Sequence, residues 1–338
     1  MDKILSRNEG CIKFLSFGGI IVPAFDWSRM SLFFSAEDTQ KYLHKCYQNQ
    51  QVNQPELKSY ENCYPFIYYL EHGKVYYEQA SLSPFIIQPI LIFYGLIHLM
   101  KACILTTDPD YPETTAVLAH GVSTRKRKKQ QYRFFEDEVK IQKNGLFPHM
   151  SRHLFQMGHA EGKKITMKDL LRQIPELNDM FFRLEGTPTF SPVKLADNRL
   201  YFSADVLDSY HMTERRFAEF FFQKSAFQGH LQEADDSSFM FRLEEEVRNN
   251  YAPLKYDFKK KRFAMPLFNS GLLEFHELLI HYLLLYNLSM IARYETEWWS
   301  ELVKTMPTKD FPFIETFLKI TLEKGPFLVY QYLIGRWE

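Results

Sequence analysis

The sequence predicts a mainly α-helical protein: a helical bundle around two long apolar helices, at about residues 84–106 and 272–294, with a small α+β insertion between them. Three observations predict this. Both stretches are apolar over lengths that strands do not reach. Alternating β-type runs are confined to the window 187–268, with helical periodicity on either side. Hydrophobic residues make up 46% of the chain and aromatic residues 16%, enough bulky apolar surface to fill thick helical layers. A chain of 338 residues is long enough for two compact domains or one large domain with an insertion. The predicted organisation is a lead-in at 1–30, a helical domain begun at 31–186, the insertion at 187–268, and C-terminal helices at 269–338 that complete the helical domain.

The elements follow in order. A short strand is predicted at 18–22 within the lead-in. Ser35, followed by Glu37 and Asp38, then Tyr42, Leu43, Cys46 and Tyr47 at helical spacing, reads as an N-cap. The polar tract 48–58, closed by Pro55, reads as a loop. A helix from Glu61 is expected to break at His72-Gly73. The first long apolar helix stops where Pro109 and Pro112 forbid continuation. A short helix over 113–119 follows, then an irregular, histidine-rich stretch at 144–164. Thr166 with Asp169 three residues on opens a helix over 166–185. Runs 192–196 and 199–204 flank Asp197-Asn198, a hairpin signal. A helix at 212–227 and β-type runs at 238–245 and 262–268 complete the insertion. After the second apolar helix, two helices at 296–304 and 310–335 close the chain.

Composition narrows the function classes. The 41 basic and 41 acidic residues cancel, so nothing global steers the chain toward nucleic acid or an anionic membrane. Cys11, Cys46, Cys63 and Cys103 lack CxxC spacing and suit reduced, packed thiols. The apolar stretch FLSFGGIIVPAF at 14–25 follows acidic Asp2 and Glu9, unlike a secretory signal. Gln88, Pro89, His98 and Lys101 interrupt the first apolar helix, which argues for a core helix over a membrane span. The expectation is a cytoplasmic protein without a membrane role.

Chemistry concentrates in three places. Tyr94, His98 and Lys101 fall at i, i+4 and i+7 of the first apolar helix; Tyr282, Tyr286, Ser289 and Arg293 form a similar stripe on the second. If the stripes face each other, two cations and a histidine converge and call for an anion, either a protein carboxylate or a bound phosphate or nucleotide. Alternatively, both cations sit near helix C-terminal ends, where they snorkel and complement the helix dipole. The second place is His120, Ser123 and the basic run Arg125, Lys126, Arg127, Lys128 and Lys129. Were Ser123 a helix cap, these cations would crowd the positive helix end and favour an anionic partner. Glu136, Asp137 and Glu138 offer an internal counter-charge instead. The third is His149, Arg152, His153 and His159, where no paired cysteine or carboxylate spacing marks a metal site. P-loop, GxGxxG, GxSxG and HExxH patterns are all missing from the sequence. No cofactor is expected.

The blocks PILIFYGLIHLMKACIL (89–105), LAHGVSTRKRKKQQYRFFEDEVKIQKNGLF (118–147) and YNLSMIARYETEWW (286–299) together resemble the YaaC-like family of bacilli and relatives, over roughly residues 30–335. That resemblance implies no defined activity. Through the frequent proximity of the family's genes to that of IMP dehydrogenase, it implies a link to purine nucleotide metabolism. The tyrosine-rich helix followed by a His-Gly turn is also distantly similar to the helical HEPN superfamily, many of whose members are ribonucleases with an Arg-spacer-His motif. Arg152 and His159 supply one such spacing, no more than the roughly one to two matches expected by chance in this composition, so it carries no weight. Arg293 is followed by Trp298 where a nuclease could place its histidine. The sequence therefore predicts a non-catalytic helical protein that binds a protein partner or a nucleotide-like anion. A metal-independent ribonuclease using Arg152 and His159, or Arg293 with a histidine brought in by the fold, is the alternative, with RNA as its partner.

Overall fold

Helix α1 (Ala36–Asn49) begins where the sequence places it: the Ser35 side chain accepts from the Asp38 amide. In this computed structural model residues 25–124, 132–158, 161–234, 237–244, 251–268 and 271–337 are described; the expected strand at 18–22 lies outside them. Mainly helical, the chain continues through α2 (Pro55–Leu82), α3 (Gln88–Leu105), α4 (Leu146–Phe155), α5 (Met167–Leu171), α6 (Asn178–Glu185), α7 (Asp205–Tyr210), α8 (Glu214–Gln223), α9 (Glu277–Tyr294), α10 (Thr296–Thr305) and α11 (Asp310–Gly335).

The apolar helices α3 and α9 lie buried and pack on each other, with Phe93 of α3 edge-on to Tyr282 and Tyr286 of α9. Helix α3 is long and apolar enough to cross a membrane, but it is mostly buried inside the protein. The longest helices are their neighbours: α2 with 28 residues and α11 with 26. α2 differs most from expectation. It starts at Pro55, which occupies the first turn where its missing N–H costs nothing, and it runs through His72-Gly73 unbroken. Gly73 is there for packing: a Cβ would lie 2.5 Å from Leu99 Cδ2. Gly95 answers it from α3, where a Cβ would meet Tyr77 Cδ2 at 2.8 Å. The two helices cross closely because neither glycine carries a side chain.

A small sheet, β1 (Val122–Thr124), β2 (Glu138–Ile141) and β3 (Lys164–Thr166), is antiparallel in the order β1-β2-β3 and was not anticipated. The stretch read as irregular at 144–164 contains α4, and the helix read over 166–185 is two helices separated by a 3-10 turn at Pro175–Leu177. The Thr166 cap holds, accepting from the Asp169 amide.

The larger sheet joins β4 (Phe190–Ala196), β5 (Arg199–Ser203), β6 (Gly229–Ala234), β7 (Ser238–Leu243), β8 (Lys255–Asp257) and β9 (Arg262–Pro266) in the order β6-β7-β5-β4-β9-β8, every pair antiparallel. Asp197 and Asn198 both take positive φ and close the β4–β5 hairpin. Helices α7 and α8 bury Val206, Phe217 and Phe221 with Phe202, Phe239 and Phe241 of the sheet, a core separate from that of the helices. The edge strand β8 meets the helical part, where Tyr256 and Phe258 pack on Phe327 of α11.

Candidate anion-binding site

The two polar stripes meet at Tyr94 and Arg293, while His98 and Lys101 turn to α2. Arg293, in the last turn of α9, donates from Nη1 to the Tyr94 hydroxyl at 3.0 Å and from Nε to the Ser289 carbonyl at 3.1 Å. Its guanidinium lies over the rings of Tyr94 and Tyr294. One turn further along α3, the His98 ring stacks on Tyr76 at 5.5 Å and lies 5.2 Å from His72, both from α2. Lys101 places its ammonium 5.6 Å from the centroid of Tyr69, again on α2.

His120 enters from the loop before β1. Its carbonyl accepts from the Tyr282 hydroxyl at 2.9 Å, and the Phe147 amide also donates to it. Gly121, at φ 76°, comes so close to Gly145 and Pro148 that a Cβ would lie 2.4 Å from Pro148 Cδ. So held, the imidazole of His120 sits 5.6 Å from the Tyr286 ring and 5.2 Å from that of Phe93.

The electrostatics are one-sided. Among the described residues neither Lys101 nor Arg293 has a carboxylate within ion-pair distance; their partners are phenol, carbonyl, thioether and ring faces. Burial lowers the Lys101 pKa. Burial, then Lys101 and His72, pull His98 down to about 4. Burial, then Arg293 and Lys101, depress His120. At neutral pH both imidazoles are therefore uncharged, and His98 Nδ1 is buried without a hydrogen-bond partner. An open groove of about 550 Å³ borders the site through His72 and Tyr76, and Glu71, Lys74 and Glu78 also line it.

Other sequence candidates fare differently. Tyr286 is buried with its ring against His120. Ser289 is fully buried and its hydroxyl donates to the Tyr286 carbonyl, so it supports Arg293 through its backbone only. Ser123 is no helix cap: it lies in β1, accepting from Gln142 Nε2 at 2.6 Å. Arg125, Lys126 and Arg127 lie outside the described residues, as does His159. Arg152 is exposed on α4. Cys46, Cys63 and Cys103 are free and buried, and Cys11 is outside the described part.

Sequence reading missed Tyr69, His72 and Tyr76, because nothing in a helical stripe says which neighbour will cover it. It also missed a buried ionic cluster on the far half of α9. Lys324 of α11 lies 2.8 and 3.0 Å from the two Glu176 oxygens and also contacts Glu277. His281 Nδ1 is 2.7 Å from the Thr321 hydroxyl. Lys255 of β8 donates to the Phe275 carbonyl, and the Phe258 amide donates to Glu176. Despite burial, Lys324 and His281 hold Glu277 down at about 2, whereas burial outweighs the pull of Lys324 at Glu176 and raises it. Lys324 pairs with both glutamates, and the Lys255 and Phe258 contacts join the larger sheet to the helices.

Fold and site together define a mainly helical protein with an appended antiparallel sheet and an aromatic cluster holding two half-buried cations. The chain belongs to the YaaC-like protein family, whose model matches residues 31–333. No curated protein and no solved structure matches it. The family match does not extend to the HEPN likeness.

Proposed function

We propose that this protein is a cytoplasmic, non-catalytic binder of a nucleotide-like anion, held between α2, α3, the C-terminal turn of α9 and the His120 loop. In this reading α3 and α9 are the organising pair of the bundle, and residues 187–268 are an insertion that leaves the site to the helical domain. One observation carries the proposal: Lys101 and Arg293, both half-buried, lack a carboxylate among the described residues and are surrounded by imidazoles and phenols. Half-buried cations without a counter-ion favour an incoming phosphate, and the aromatic rings beside them, such as half-buried Tyr76, suit a base. A purine nucleotide has both parts. The protein-partner expectation has its own support in Tyr60, Tyr64 and Tyr68, an exposed i, i+4, i+8 row on α2.

A thermal-shift panel of nucleoside mono-, di- and triphosphates tests the proposal. A rise in Tm that vanishes in Arg293→Met and Lys101→Met supports it; a flat panel with the folded wild type removes it. A second reading draws on the convergence of Arg293 with His120, the kind of pair a metal-independent ribonuclease needs. Cleavage of single-stranded RNA in EDTA, lost on His120→Ala, would select that reading over pure binding.

A further inference from the structure

The end of α3 and the exposed side of α4 hold a second cluster that the proposed anion site does not use. His149 and His153 stand one turn apart on α4 with their rings stacked at 4.2 Å. Asp108, in the turn after α3, brings Oδ2 to 2.9 Å from His149 Nε2. One ligand atom from each of the three residues lies within 4.8 Å of the others. The histidines are visible in the sequence as an i, i+4 pair; the carboxylate is supplied by a distant turn, so no linear spacing shows it.

We propose that Asp108, His149 and His153 bind a divalent first-row transition metal, zinc foremost. Two imidazole nitrogens and one carboxylate oxygen form a donor set for such borderline ions and not for magnesium or calcium, which take oxygen ligands. Around a tetrahedral zinc ion, bonds of about 2.0–2.2 Å place donor atoms roughly 3.3 Å apart. The spread here, from 2.9 Å up to 4.8 Å, brackets that distance, so modest side-chain rotation suffices. His149 is 8% exposed, yet its Nε2 has no properly directed hydrogen bond even though Asp108 is close. A buried nitrogen near a carboxylate but misaligned for N–H donation suits a shared cation better than a direct bond. The ring of Tyr111 packs against His149 at 5.4 Å and fixes its plane. His153, at the surface, gives the ion a way in, and three protein donors leave a fourth position for water. Bound metal would clasp the turn after α3 to α4, the helix whose start positions the His120 loop.

Cobalt(II) titration of tag-free, EDTA-treated full-length protein tests this directly. The expected result is a visible d–d absorption that saturates at one equivalent and is bleached by zinc. His153→Ala, at an exposed position where folding is not at risk, should weaken cobalt binding by about tenfold or more, and Asp108→Asn should do the same. Absence of the absorption in the wild type, or its persistence at wild-type affinity in both variants, would overturn the proposal and leave His149–Asp108 as a simple clasp. Nucleotide thermal shifts play no part in this readout, so the two sites stand or fall separately.

Discussion

Replacing Lys324 with methionine is the sharpest test of how this fold is held together. The ammonium has no solvent exposure, the Glu176 side chain is 1% and the Glu277 side chain 5% exposed, and both carboxylates touch it. Methionine matches the aliphatic stem but leaves two carboxylates facing each other in the interior. Lys255, the other buried cation there, donates to the Phe275 carbonyl and forms no ion pair with either glutamate among the described residues. Removing one partner of a buried ion pair costs about 3–5 kcal/mol, which for a chain of this size lowers Tm by about 4–7 °C. The pH dependence carries a definite sign. In the wild type Lys324 holds Glu277 below its ordinary value, so that group's stabilisation is present above about pH 4.5 and is lost as pH falls through its folded pKa, whereas the raised Glu176 acts in the opposite sense. Without Lys324, burial raises both carboxyls in the folded state, so the variant takes up protons on folding and its deficit shrinks as pH falls from about 7.5 to 5.5. Urea unfolding at the two pH values reads both effects. Adding Glu176→Gln and Glu277→Gln should restore part of the lost stability, because no uncompensated charge then remains buried. A loss below about 1 kcal/mol, or an equal loss at both pH values, would refute the reasoning.

Three further outcomes follow from the same structure. Nucleotide affinity should strengthen as pH falls below 7, because a bound anion raises the pKa of His98 from about 4 and draws a proton onto it; isothermal titration of His98→Gln should show a flatter pH profile. Gly95→Ala should destabilise by about 1–3 kcal/mol in urea unfolding, since its Cβ would press on Tyr77 and the Tyr76 Cβ at 3.0 Å. Lys255, held down at about 8 by burial, binds fewer protons folded than unfolded between pH 8 and its ordinary 10.5. Its contribution therefore favours folding increasingly across that window, and Lys255→Met should remove that part of the pH slope.

Signals confined to a few residues were legible in the sequence. Ser35 and Thr166 cap their helices, Asp197-Asn198 turns the hairpin, and α10 and α11 fall where periodicity puts them. Signals whose meaning depends on a distant neighbour misled. Gly73 looked like the end of a helix because a glycine at a helix end and one under a crossing helix are identical in sequence; only Leu99 lying over it tells them apart. Ser123 had the right chemistry for a cap but sits in a strand, paired with Lys140.

Lone charges on apolar helices follow the same logic and say most about the candidate site. Helix α9 carries Glu277 at its start and Arg293 at its end, and sequence alone treats them alike. The fold does not. Glu277 meets Lys324 from α11, a residue with no distinguishing sequence signal, and the cluster is completed by Glu176, 148 positions from Lys324. Arg293 meets a phenol, a carbonyl and a thioether. Had buried charge on α9 served packing alone, both ends would be expected to find counter-ions, since an unpaired one is costly. The helix dipole offsets part of that cost at Arg293. It does less for Lys101, a full turn inside α3, whose neighbours are the Tyr69 ring and the imidazoles of His98 and His120. Two cations on different helices, both near His120 and both lacking a carboxylate among the described residues, are the observations on which the proposed anion site rests.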